Sequence, residues 1–294
     1  MNATALLSAP TYHDAPRIVI WETTRACALA CRHCRAEAHP FRSPEELTTS
    51  EAFDLVDAVV DCGKPIFILT GGDPFMRPDL IPIVEYAVER GLHTAVSPSA
   101  TARLTPIALQ ALAHAGCHRI SLSLDAPDAD AHDAFRGVRG SFARTMRSIE
   151  TAKNAGLQVQ INTTISRFNA AWIGAMGDLL RPLGIALWSV FFLVPVGRAR
   201  LDEVLSAAET ETAFANFHEL SKTLPFPVKT TEAPHFRRYV IQHAEGSENA
   251  PFSAIADGRG FTFVSHRGEI CPSGFLPHVV GNVREDRLLD VYRE

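Results

Sequence analysis

Five glycines, at positions 63, 91, 116, 156 and 184, each close an amphipathic stretch, and each is followed within a few residues by a short apolar, often β-branched run. Glycine past the last helical turn accepts the left-handed backbone that ends a helix, so the order reads helix, stop, strand, and it recurs. Strands are expected at 17–21, 66–70, 93–97, 119–124, 158–164 and 187–193. Helices are expected at 51–61, 79–90, 106–115, 141–155 and 172–183, where apolar residues return at three and four positions. Such alternation implies an α/β fold with a parallel sheet and right-handed crossovers. An open doubly wound sheet and an incomplete barrel both satisfy that pattern, and periodicity does not choose between them.

Polar residues collect at the C-terminal ends of these strands: Gly71-Gly72-Asp73, Ser97 and Ser99, Ser123 and Asp125, Asn162 and Thr164, then Pro195-Val196-Gly197-Arg198. In parallel α/β folds the loops at that end carry the active face. A lone serine there is equally a cap for the next helix.

Past the first strand stand Cys27-x-x-x-Cys31-x-x-Cys34, and about forty residues later Thr70-Gly71-Gly72-Asp73-Pro74. Gaps of three and two residues let one short loop aim three thiolates at a single cluster. Three thiolates fill three corners of a cubane iron-sulfur cluster and leave one iron open, whereas a structural metal site closes with four protein ligands. The alternative is a non-catalytic zinc site with His33 or His39 as fourth ligand. Two glycines after a buried strand let main-chain groups approach a ligand closely.

These motifs resemble the radical S-adenosylmethionine (radical SAM) superfamily, whose cluster motif has this cysteine spacing. The resemblance implies a partial (β/α)6 TIM-like barrel holding a [4Fe-4S] cluster on Cys27, Cys31 and Cys34. Reductive cleavage of S-adenosylmethionine to a 5′-deoxyadenosyl radical, which takes hydrogen from an organic substrate, is the activity it implies. His33 stands where the family usually has an aromatic residue packed near adenine, and Gly71, Gly72 and Asp73 match the loop that holds the methionine amino group. Ser123 and Arg144 match positions that grip the methionine carboxylate, with Asn162 and Leu193 flanking ribose and adenine. An electron donor such as flavodoxin or ferredoxin is implied as a partner.

After Pro225 the pattern changes. The expected organisation is an N-terminal segment at 1–16, a core barrel at 17–224 and an extension at 225–294. The extension has a polar stretch through Glu248, a hairpin about Gly268-Glu269 and a closing helix at 286–294. Gly268-Glu269-Ile270-Cys271-Pro272-Ser273-Gly274-Phe275, with Gly281-Asn282-Val283-Arg284, resembles the opening of the cysteine-rich SPASM extension, which binds auxiliary iron-sulfur clusters. One thiolate does not hold a four-iron cluster, so an auxiliary cluster is expected only if the chain continues beyond Glu294.

Phe191-Phe192-Leu193-Val194-Pro195-Val196-Gly197-Arg198 and His132-Asp133-Ala134-Phe135-Arg136-Gly137 are most similar to a subgroup near the alternative-haem and haem d1 synthesis enzymes. Iron-tetrapyrroles are the substrates this implies, and Arg136, Arg139, Arg237 and Arg238 are candidate partners for their propionates. A maturase of ribosomally made peptides is the alternative. A net charge of −5 supplies no basic field to draw nucleic acid or anionic lipid. No run of eighteen apolar residues suggests a membrane span, and a clustered rather than framework use of the six cysteines fits a reducing, cytoplasmic setting. Cys62 and Cys117, each beside a helix-stopping glycine, are expected to be packing residues.

Overall fold

The computed structural model describes residues 12–243 and 255–294, so the first eleven residues and much of the polar stretch through Glu248 lie outside the described residues. Six strands appear where the repeat places them: β1 (Ile18–Glu22), β2 (Ile66–Thr70), β3 (His93–Val96), β4 (Arg119–Ser123), β5 (Gln158–Ile165) and β6 (Leu187–Phe192). The helices between them are α1 (Thr49–Asp61), α2 (Leu80–Glu89), α3 (Pro106–His114), α4 (Ala129–Arg136), α5 (Ser141–Asn154) and α6 (Ile173–Leu180). All five helix-stopping glycines take positive φ, from +61° to +88°. Thr48 and Glu51 start α1 with a reciprocal capping box, Thr48 Oγ1 accepting from the Glu51 amide and the Glu51 carboxylate from the Thr48 amide.

Two expectations needed correction. The helix expected at 172–183 is shorter, because Pro182 has no amide proton to donate and the chain tightens into a 3-10 turn over Arg181–Leu183. The sheet also runs past 224. Its later members are β7 (Val228–Thr231), parallel to β6, and β8 (Phe261–Val264), parallel to β1. The predicted hairpin is β8 with β9 (Glu269–Cys271), turning through Gly268 at φ +85°, and β10 (Gly281–Asn282) completes that edge. Helices α7 (Ala207–Ser221), α8 (Phe236–His243) and α9 (Leu288–Arg293) complete the α-helices among the described residues. The order across the sheet is β10-β9-β8-β1-β2-β3-β4-β5-β6-β7.

Side chains alternate across a strand, and here the two faces meet different surroundings. One face, with Val19, Trp21, Phe67, Leu69, Val96, Ile120, Leu122, Ile161, Trp188 and Val190, is buried in the main apolar core. The other face supplies Ile20, Ile68, Ala95, Ser121, Gln160, Ser189, Lys229 and Phe263, one from each of eight neighbouring strands, to the wall of a single cavity of about 420 Å³. A flat sheet does not wrap eight strands around one cavity, so the sheet is curved. Among the described residues β7 does not pair with β8 or β10, which leaves the barrel open at its side.

Candidate active site

The loop after β1 carries the three thiols, and main-chain bonds fix its path. The Cys27 amide donates to His39 O at 2.8 Å, the Gly72 amide to Thr24 O at 2.7 Å and the Asp73 amide to Ala26 O at 2.8 Å. From beyond β6, Arg198 donates through Nε to Cys31 O at 3.0 Å and through Nη1 to Ala38 O at 2.8 Å. Glycines let backbone press on backbone: a Cβ at Gly72 would lie 2.5 Å from Ala26 O, and one at Gly197 would lie 2.4 Å from Arg35 O.

All three cysteines line the cavity. Donors reach each sulfur: the Leu29 amide at 3.3 Å for Cys27, the Ala38 amide at 3.4 Å for Cys34, and Arg136 Nη1 at 3.7 Å for Cys31, while Ser99 Oγ lies 3.4 Å from the Cys27 sulfur with its own proton given to Gly72 O. Burial pushes the Cys27 and Cys31 thiols up, and coordination to a metal is what deprotonates thiols so placed. His39 is exposed and outside the cavity wall, whereas His33 lines it and stacks on Phe135 at 4.2 Å. Burial pulls the His33 imidazole down to about 3, and its buried Nδ1 has no partner among the described residues. Three thiols with amide and cationic donors, and a neutral ring with an unused nitrogen beside them, fit an iron-sulfur cluster with a nitrogen-rich organic ligand.

Gly71, Gly72, Ser123, Asn162 and Leu193 all line the same cavity. Ser99 Oγ donates to Gly72 O at 2.8 Å and holds the glycine pair against the Cys27 loop. Asp73 is not on the wall. Pro74 opens a 3-10 turn, and the fully buried Asp73 caps it, accepting from the Phe75 amide at 3.2 Å and from Thr101 Oγ1 at 2.8 Å. Arg144 also lies off the wall, its Nε donating to Ala100 O at 3.2 Å and its Nη2 to Arg139 O at 3.3 Å. The glycine main chain and Ser123 therefore face the cavity directly, while Asp73 and Arg144 stand behind it.

Two buried carboxylates brace the site. Asp125 receives Arg136 Nη2 at 2.6 Å and the Thr164 amide at 2.8 Å. Burial works to raise its carboxyl, but Arg136 overrides this and holds it below the usual range. Glu22, fully buried at the end of β1, receives Arg35 Nη2 at 2.7 Å, Arg25 Nε at 3.0 Å and His266 Nδ1 at 3.1 Å. Burial opposes its charge most strongly, yet the His266 hydrogen bond and the two arginines bring it down to about 2. Arg35 also lies over the Phe263 ring at 4.9 Å and donates to Gly274 O at 3.2 Å, so the cysteine loop is tied to the C-terminal hairpin.

Of the arginines expected to meet carboxylates, Arg136 is engaged by Asp125, Arg238 pairs with Glu211, and Arg139 is exposed. Arg119 and Lys229, which sequence reading did not single out, line the cavity. Their signal was parity: each shares the inward register of Ser121, Gln160 and Ser189 in strands whose alternate residues are apolar or neutral. Cys62 and Cys117 are buried away from the site with thiols pushed up to about 12 by burial, as packing residues. Cys271, buried at the end of β9, is outside the cavity wall.

A curved, mostly parallel sheet with three thiols and a glycine pair at its C-terminal rim defines the class: the chain belongs to the radical SAM superfamily, whose family model matches residues 21–173. It is 42% identical to the AdoMet-dependent heme synthase of Nitratidesulfovibrio vulgaris, covering 95% of this chain and 79% of that one. A heme synthase of the same description from Methanosarcina barkeri is 39% identical, over 95% of this chain and 82% of that one. The fold matches the crystal structure of Streptococcus suis SuiB bound to S-adenosylmethionine with a TM-score of 0.76 at 17% identity, covering 96% of this chain and 66% of that chain. The chain is thus a radical SAM enzyme, and the family implies a [4Fe-4S] cluster and S-adenosylmethionine as its cofactors. Among the described residues no helix is long and apolar enough to cross a membrane.

Proposed function

We propose that this enzyme acts on an iron-tetrapyrrole in haem biosynthesis, by an oxidative, decarboxylase-type reaction at a propionate side chain. The observation that carries the reading is the wall of the cavity, where three thiols, a glycine pair and Ser123 share one space with uncompensated cations. Identity of about two fifths to heme synthases over most of the chain supports the substrate.

In this reading Cys27, Cys31 and Cys34 hold the cluster. When bound, it supplies the electron that cleaves S-adenosylmethionine and so yields the hydrogen-abstracting 5′-deoxyadenosyl radical. The main chain of Gly71 and Gly72 takes the methionine amino group, Ser123 the carboxylate, and Asn162, Leu193 and His33 border the nucleoside. Asp73 and Arg144 act from behind the wall, Asp73 by shaping the glycine loop and Arg144 by tying α5 to Ala100. Apolar Leu29, Phe191 and Phe192 exclude water from the reacting carbon. The electron comes from a small donor such as flavodoxin or ferredoxin. An auxiliary cluster at Cys271 would need further thiolates beside it.

The test is turnover under strict exclusion of oxygen. Reconstituted enzyme, S-adenosylmethionine, reductant, an iron porphyrin bearing propionates and a one-electron acceptor are expected to give 5′-deoxyadenosine, which carries off one hydrogen atom, together with a porphyrin that has lost carbon dioxide and passed the remaining electron to the acceptor, read by mass spectrometry. Formation of 5′-deoxyadenosine with the porphyrin returned unchanged, under conditions where the porphyrin binds, would contradict it.

A further inference from the structure

We propose that Arg119 and Lys229 form a carboxylate-anchoring subsite inside the barrel, at the end away from the cysteines, which holds propionate side chains of the substrate. The proposal rests on the tetrapyrrole reading and adds to it where the substrate is gripped.

Charge across the cavity wall is the first support. The cations lining it are Arg35, Arg136, Arg198, Arg119 and Lys229, against a single acidic residue, Glu232, among the described residues. Arg35 and Arg136 are paired with Glu22 and Asp125, and Arg198 gives Nε and Nη1 to carbonyls of the cysteine loop, its buried Nη2 having no partner among the described residues at that rim. Arg119 and Lys229 form no ion pair among the described residues. The Arg119 Nη2 donates to the neutral Gln158 Oε1 at 3.0 Å, and its buried Nε has no hydrogen-bond partner there. A buried guanidinium nitrogen left unsatisfied is costly, and a ligand oxygen relieves that cost.

Placement is the second support. Arg119 opens β4 and Lys229 sits in β7, three strands away in the sheet. Both side chains nevertheless line the one cavity, and burial pulls the Lys229 ammonium down, with Arg237 and Arg119 adding repulsion. Two like charges on the wall of one cavity suit an anion bound between them. Arginine offers a planar fork to a carboxylate, and lysine offers a movable point charge. Along β4, Arg119 and Ser123 point to the same side and are four residues apart, roughly 13 Å at the strand rise. A substrate held by carboxylates at Arg119 and Lys229 therefore extends up the barrel toward the space beside Ser123. Glu232, the one acid on the wall, follows the opposite end of β7 and does not neutralise the pair.

The experiment is an anaerobic titration of the reconstituted enzyme, with S-adenosylmethionine present, against an iron porphyrin carrying free propionates and against its methyl ester. Wild type is expected to bind the free acid more tightly than the ester. Arg119→Gln and Lys229→Gln are each expected to weaken the free acid by about tenfold or more, the loss of one charge-assisted hydrogen bond, and to leave ester binding unchanged. Unchanged ester binding also shows that the variants are folded, and Lys229→Arg is expected to restore the preference for the acid. Variants that keep the full preference would overturn the subsite while leaving the tetrapyrrole reading intact. A wild-type enzyme that binds neither porphyrin would remove that reading and the subsite with it.

Discussion

The Arg136 guanidinium reaches the Cys31 sulfur, with Nη1 at 3.7 Å, while Asp125 holds its other nitrogens at 2.6 and 2.7 Å. A fixed positive charge donating to a cluster-ligating sulfur favours the more negative, reduced cluster and so raises its potential. Arg136→Met should make the cluster harder to reduce, but it also strands a buried carboxylate, which costs about 3–5 kcal/mol. The paired change Arg136→Met with Asp125→Asn avoids that cost. A redox titration followed by electron paramagnetic resonance is expected to give a more negative midpoint for the double variant than for wild type, with Arg136→Lys between them.

Glu22 is expected to contribute to acid stability at the root of the cysteine loop. Its folded pKa of about 2 lies below the ordinary value of 4.5, so its contribution is complete above about 4.5 and is lost as pH falls towards 2. A shift of that size corresponds to about 3 kcal/mol. Denaturant melts from pH 6 to pH 2 should show wild type losing stability more steeply below about 4.5 than Glu22→Gln does.

Gly197 supports the loop through close contact rather than charge. A Cβ there would meet Arg35 O at 2.4 Å and Cys34 O at 2.5 Å, and its φ of +61° carries a further strain of about 1–2 kcal/mol for a side chain. Gly63, at φ +88°, has nothing within 4 Å of its would-be Cβ. Both alanine variants should lose stability, and Gly197→Ala alone should bind less iron and sulfide per chain.

Ser123→Ala should weaken S-adenosylmethionine binding by about 10- to 100-fold, the loss of a hydrogen bond to a charged group, with little change in melting temperature. Arg144→Ala removes two bonds to main-chain carbonyls and should lower the melting temperature as well. Calorimetric binding and thermal melts separate the two residues.

The strand and helix repeat was legible because its stops are local chemistry: Gly63, Gly91, Gly116, Gly156 and Gly184 all adopt the backbone that ends a helix. Val228–Thr231 was not read as a strand because it lies at the sheet edge, where Lys229 and Thr231 face a cavity and no apolar run is required. Helix α4 was missed for a related reason, since only His132 and Phe135 of its eight residues are buried. The cysteines and glycines of the site were visible as spacing. The direction of the Asp73 side chain was not, because the following Pro74 starts a turn whose cap Asp73 becomes. Arg119 and Lys229 gain meaning only once curvature sets them across the same cavity.

The most direct test is the release of 5′-deoxyadenosine by reconstituted, dithionite-reduced enzyme with verified iron content. Wild type is expected to release it, and Cys27→Ala, Cys31→Ala and Cys34→Ala are expected to release none. Full release by any of the three variants, or none by an iron-loaded wild type, would contradict the assignment of these thiols.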